Sequence, residues 1–167
     1  MQKGIIFGFF AASILFAQGG AAQSIGPVTG KPLPRFETLR FGTVRMRRGP
    51  GRKYPIAWIF KRENLPVTVF REYQEWRQVR DPYGDIGWIK RTQLSRARYG
   101  LVVDDRTPLY KNAVEDAKIA VLAQTGVVLR LDECRAEWCH GRAKGYSGWV
   151  RKEALFGVAP GEMFEGE

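Results

Sequence analysis

Beyond residue 36 the chain is a series of short apolar runs rich in Val, Ile, Leu, Thr and aromatic residues, interrupted by clusters of Gly, Pro, Asp and Asn. Alternation at period two, as at Val67 and Val69, marks strands with one face buried. In the first half the pattern predicts strands over residues 38–47, Ile56–Phe60, 65–73, Trp76–Arg80 and Ile86–Lys90, with turns at residues 48–51 and 81–85 and a closing 3₁₀ turn at 92–94. In the second half it predicts strands at residues 101–103 and 109–110 around a turn at 104–106, then at 118–123, 127–132, 138–142 and 148–151. Residues 112–117 (NAVEDA) suit a helical turn. Short strands and frequent turns place the chain in the all-β class, as small barrels or sandwiches.

The two halves repeat each other. Trp76-Arg77-Gln78-Val79-Arg80 leads through Gly84 to Gly87-Trp88-Ile89-Lys90 and Leu94; Trp138-Cys139-His140-Gly141-Arg142 leads through Gly145 to Gly148-Trp149-Val150-Arg151 and Leu155. A period of about sixty residues exceeds a solenoid unit and fits a small domain used twice. The expected organisation is a signal peptide over residues 1–22, a disordered Gly/Pro-rich spacer over 23–35, one domain over 36–97, a second over 98–158 and a flexible tail over 159–167. A domain this small buries a limited core, so its tryptophans have packing work to do whatever else they contact.

The start of the chain and its charge narrow the setting. Lys3 precedes an apolar run at residues 4–17, the length of a signal h-region and short of the roughly twenty residues a spanning helix needs. Gly20-Ala21-Ala22 offers small residues for a cut before Gln23; an uncleaved anchor is the competing reading. A cleaved protein would be periplasmic or secreted, with no transmembrane anchor. The formal net charge is +10. Such a surface favours polyanions, and outside the cell these are wall polymer, anionic lipid or an acidic protein rather than nucleic acid. Cys134 and Cys139, in an oxidising compartment and on either side of a tight reversal, are expected to form a disulfide. The alternatives are a metal site with His140, which lacks a fourth ligand, and a reactive Cys139 beside His140.

Several motifs together resemble the bacterial SH3 domain family. Val44-Arg45-Met46-Arg47-Arg48-Gly49-Pro50-Gly51 is similar to its V-R-x-G-P-G opening; Tyr54-Pro55-Ile56, Trp76-Arg77-Gln78-Val79 and Gly87-Trp88-Ile89 resemble its Y-P-V, W-x-x-V and closing G-W-I/V segments. The second half keeps Trp138, Gly148-Trp149-Val150 and Leu155 but has lost the Arg/Gly/Pro turn. The cysteine pair around Trp138 resembles a trait of an exported proteobacterial subfamily with two such domains. The resemblance implies two tandem SH3-like barrels and a non-catalytic binding role, with peptidoglycan (peptide stems or anionic wall polymer) as the expected ligand. An envelope protein offering an extended peptide is the alternative partner. It also implies a groove lined by Tyr54, Tyr73, Trp76 and Tyr83, with Arg47, Arg48, Arg52 and Lys53 on its rim; plain packing is the competing role for the aromatics.

No catalytic set, metal site or cofactor site is expected. His140 is the single histidine, Asp104, Asp105, Glu115 and Asp116 lie in turns with nothing to desolvate them, and Gly49-Pro50-Gly51 is a turn rather than a phosphate cradle.

Overall fold

The computed structural model describes residues 24–166, so the signal assigned to residues 1–22 lies outside the described residues. The first unit contains β1 (Ser24–Ile25), β2 (Pro32–Leu33), β3 (Arg35–Leu39), β4 (Val44–Arg47), β5 (Ile56–Phe60), β6 (Pro66–Tyr73), β7 (Trp76–Arg80), β8 (Ile86–Lys90) and β9 (Leu94–Ser95). The second contains β10 (Tyr99–Val102), β11 (Thr107–Tyr110), β12 (Ile119–Ala123), β13 (Val128–Cys134), β14 (Trp138–Ala143), β15 (Tyr146–Arg151), β16 (Leu155–Phe156) and β17 (Phe164–Glu165). One sheet runs β5-β4-β8-β7-β6-β3-β9 and the other β12-β11-β15-β14-β13-β10-β16, the same path twice, with β17 added at β13. The chain is therefore all-β, with two tandem SH3-like units. A 3₁₀ turn closes each last hairpin, at Arg91–Gln93 and Lys152–Ala154.

Alternation sorts the side chains. Val44 and Met46 of β4, Val67 and Val69 of β6, Val79 of β7 and Ile89 of β8 fill the first core. Val102, Leu109, Leu129, Leu131 and Val150 fill the second. Strands β5 and β12 end their sheets, so each leaves one edge without a strand partner among the described residues. Ile56, Trp58 and Ile59 are exposed on β5, and Ile119 and Leu122 on β12.

The strand expected over residues 38–47 is two strands. β3 pairs with β6 and β9, whereas β4 pairs with β5 and β8. The chain must cross from one partner set to the other, and it breaks between Leu39 and Val44. Residues 112–117 form irregular turns, with the Val114 and Ala117 N–H groups donating to Asn112 and Val114 carbonyls, and no helix.

Residues 24–35, expected to be a disordered spacer, are ordered. β1 and β2 make only two cross-strand pairs, too few to hold a hairpin by themselves. Their order comes from far along the chain. Leu33 enters the first core. The Glu72 carboxylate, with its side chain fully buried, accepts the backbone N–H groups of Val28 and Thr29 at 3.0 and 2.9 Å and the Thr29 hydroxyl at 2.6 Å. Arg35 lies 2.9 Å and Arg77 3.5 Å from the same carboxylate. The tail beyond residue 158 is likewise packed rather than flexible. Glu162 pairs with Arg98 at 2.7 Å, Lys152 donates to the Pro160 and Glu162 carbonyls, and Phe164 pairs with Cys134 across the sheet.

The two units share an apolar contact. Leu101 joins the first core, with Val128 and Phe156 packed against it. The Phe156 ring meets Phe36 edge to face at 5.4 Å. Arg98 stitches the junction by donating to the carbonyls of Phe36 at 3.4 Å and Gly157 at 3.1 Å. Gly157 adopts φ +115°, and a Cβ there would fall 2.6 Å from the Tyr99 carbonyl oxygen, so glycine is required.

The β6–β7 and β13–β14 hairpins are stapled at the same register by different chemistry. Glu72 stands opposite Arg77 in the first, and Cys134 opposite Cys139 in the second. The cysteines form a disulfide. Burial works to raise the Glu72 pKa, but the Thr29 hydroxyl, the Val28 and Thr29 N–H groups and Arg35 outweigh it and lower it to about 2. A carboxyl depressed from about 4.3 in the unfolded chain contributes about 3 kcal/mol of stability above that value, lost as pH falls toward the folded one. Glu72→Gln is expected to lower the melting temperature at pH 7 and to flatten the acid limb between about pH 4.5 and 2; thermal melts across pH check both. Reduction of the Cys134–Cys139 bridge is expected to remove about 2 kcal/mol, the low end for so short a closed loop. Denaturant titration with and without reductant measures it.

Candidate functional site

Trp76 opens β7. Along that strand Arg77 and Val79 point into the core, leaving Trp76 and Gln78 half-buried on the outer face. Antiparallel pairing sets Lys90 directly opposite Trp76 and Trp88 opposite Gln78. The next strand sets Arg47 opposite Trp88. Arg45 shares the outward face of β4 with Arg47, because residues two apart on a strand point the same way. Arg45, Arg47, Trp76 and Lys90, with Arg52, Thr92 and Gln93, line an open cleft of about 400 Å3. Its wall is fixed by Arg47, which donates to the backbone carbonyls of Arg52 at 3.2 Å and Tyr54 at 2.7 Å. Four cations thus ring one indole. Among the described residues the ion pairs give them one carboxylate, the half-exposed Glu75, 3.2 Å from Lys90.

The cleft unites three of the residues expected from sequence: Arg47, Arg52 and Trp76. Tyr73 is Trp76's cross-strand neighbour across the Gln74–Glu75 turn and half-exposed beside it. Tyr54 is in the loop behind Arg47, its ring against Gly49, where a Cβ would fall 2.4 Å from the ring; the Lys53 ammonium lies 5.6 Å from the ring centre. Arg48 is exposed on the same loop. Tyr83 is not brought in. It tops the turn at the far end of the β7–β8 hairpin, 76% exposed, and its N–H and that of Asp85 donate to the Asp81 carboxylate. Arg45 and Lys90 belong to the cleft and were not singled out from sequence. Counting outward from the turn at residues 81–85 pairs Lys90 with Trp76, and the period-two spacing joins Arg45 to Arg47.

The second unit builds the same place differently. Tyr110 stands opposite Trp149 and Trp138 opposite Arg151, so Tyr110, Trp138 and Arg151 occupy the positions of Arg47, Trp76 and Lys90. The Arg151 guanidinium lies 4.4 Å from the Trp138 ring centre, and Tyr110 meets that ring edge to face at 5.4 Å. Arg151 is bonded to both Glu115 and Glu137. Arg135 lies 4.4 Å from the Trp149 ring centre. The aromatic faces are covered by the protein's own arginines, and Trp138 is only 8% exposed.

No group of three or more His, Cys, Asp or Glu side chains among the described residues is placed to hold a metal. His140 lies against Trp149 and 3.5 Å from Asp132, and Cys139 is consumed by its disulfide.

A family model described as bacterial SH3 domain matches the chain twice, at residues 42–96 and 103–157. Similar solved structures include NlpC1 from Trichomonas vaginalis (14% identity, TM-score 0.36, 87% of this chain and 50% of that one). They also include NlpC2 from Trichomonas vaginalis (15%, 0.33, 74% and 48%). A third is an NlpC/P60 family protein from Bacillus cereus (14%, 0.33, 78% and 57%). The chain spans about half the length of these structures. No curated protein matches it significantly.

The cleft depends on the close approach of β4 to β8. A Cβ at Gly87 would fall 2.4 Å from the Met46 Cγ and 2.9 Å from the Arg47 carbonyl oxygen, and Gly148 faces Tyr110 in the same way at 2.8 Å. Gly87→Ala is therefore expected to destabilise the first unit by about 1–3 kcal/mol, the range for overpacking, as measured by denaturant unfolding.

Proposed function

Since the chain belongs to the bacterial SH3 domain family, with two tandem copies, we propose that it is a non-catalytic exported module that binds peptidoglycan, by peptide stems or anionic wall polymer. Bacterial SH3 domains are typically binding modules, commonly outside the cytoplasm. The observation that carries the reading is the open cleft of the first copy, where Arg45, Arg47, Arg52 and Lys90 surround Trp76. A planar guanidinium fork matches a carboxylate and the indole offers an apolar platform beside it. The net charge of +10 draws a polyanion toward that face. The apolar run at residues 4–17 supports export, and no helix among the described residues is long and apolar enough to cross a membrane.

A second reading, an adaptor for an extended peptide of an envelope protein, is favoured by the open edge of β5 with Ile56, Trp58 and Ile59 exposed. Such an edge accepts an added strand.

Co-sedimentation with purified sacculi separates the two. Wall binding predicts retention on washed sacculi, falling at least tenfold in Arg47→Ala/Arg52→Ala and in Trp76→Ala, and falling from low to high salt as exposed charges are screened. Release of the wild type by washing, with binding recovered on an envelope-protein peptide, establishes the adaptor instead.

A further inference from the structure

The second copy offers an internal comparison for the first copy's cleft. The loops leaving the two sites are equally long: Arg47 pairs with Ile56 across one, and Tyr110 with Ile119 across the other. Counting along them puts Arg52 where the second copy has Glu115. The turn residue before the tryptophan is a glutamate in both, Glu75 and Glu137, and each reaches the cation opposite that tryptophan, Lys90 or Arg151. The copies therefore agree on the indole, the strand-end cation and the turn carboxylate. They differ in the loop, which brings Arg151 a second carboxylate in one copy and brings the cleft a further cation in the other.

Resting on the reading of that cleft as the binding face, we infer that the first copy recognises a single carboxylate on a flexible peptide, the external counterpart of the Glu115 side chain, held by Lys90 and Arg52 beside Trp76. The second copy is the same site filled by its own glutamate. Its cation is already paired with two carboxylates and its indole already covered, so an external carboxylate would have to displace Glu115. Arg45 and Arg47, which have Pro108 and Tyr110 at the matching register positions, add the positive potential that a free ligand needs and a tethered one does not.

The probe is the peptide L-alanyl-γ-D-glutamyl-L-lysyl-D-alanine, as the free acid, as each single amide and as the bis-amide, titrated into the full-length mature protein by calorimetry and by the indole N–H signals in NMR. The expected result is one site, a shifted Trp76 indole with Trp138 unmoved, and binding at least tenfold weaker for the bis-amide. The single amides identify which carboxylate is read. Arg52→Glu, on an exposed loop, is expected to abolish binding with an unchanged melting temperature, and Arg52→Ala to weaken it. Glu115→Arg is expected to add a second site marked by a shift at Trp138. Equal binding of acid and bis-amide, wild-type binding by Arg52→Glu, or a wild-type shift at Trp138 overturns the inference. Sacculus retention by the wild type in those cases leaves wall binding standing without it, whereas no retention at all removes the broader reading.

Discussion

The Glu72 carboxylate near the tip of the β6–β7 hairpin organises the first barrel. It takes hydrogen bonds from Val28 and Thr29, faces Arg35 and Arg77, and does so with its side chain out of water. A lone buried carboxylate would be costly; here three donors and two guanidiniums leave it saturated. One side chain thus joins the N-terminal hairpin, β3 and the hairpin whose tip carries Trp76. The indole's position in the cleft is inherited from that buried charge, four sequence positions and one turn away from it.

The second barrel solves the same mechanical problem covalently. Cys134 and Cys139 sit at the register of Glu72 and Arg77, and both hairpins carry a bulge shortly before the staple. The substitution of a bond for an ion pair removes the carboxylate that would hold a segment like β1–β2. In the second copy that flank is met instead by the tail, with Phe164 pairing to Cys134. Duplication preserved the strand path while the electrostatics of the two copies went separate ways. One kept an exposed cationic face, and the other paired its strand-end cation, Arg151, with Glu115 and Glu137.

What was legible in the sequence was local. The strands Ile56–Phe60, Trp76–Arg80 and Ile86–Lys90 have the bounds that the apolar pattern and its turns indicate. Long-range partners were not legible. Gly/Pro-rich residues before β3 carry no periodicity, and their order rests on Glu72, more than forty positions on. The acidic tail is held by Arg98 and Lys152, neither of which announces a partner in the sequence. For the cleft, Arg47 and Trp76 stood out by motif, and Arg52 as a rim residue of the groove the resemblance implies. Tyr83 was grouped with them as part of the aromatic groove that the resemblance implies, and strand geometry puts it at the opposite end of the hairpin.

The unpaired edges of β5 and β12 bear on how the molecule behaves in solution. Each offers free backbone groups alongside exposed Ile, Leu or Trp side chains, the arrangement that elsewhere seeds edge-to-edge aggregation. Neither strand carries a lysine or proline gatekeeper within its own span. Colloidal stability then falls to the net charge of +10, a repulsion reaching about 10 Å at 0.1 M salt. The same positive field suited to gathering an anionic partner keeps neighbouring copies from zipping together, so solubility and recognition are set by a single electrostatic property.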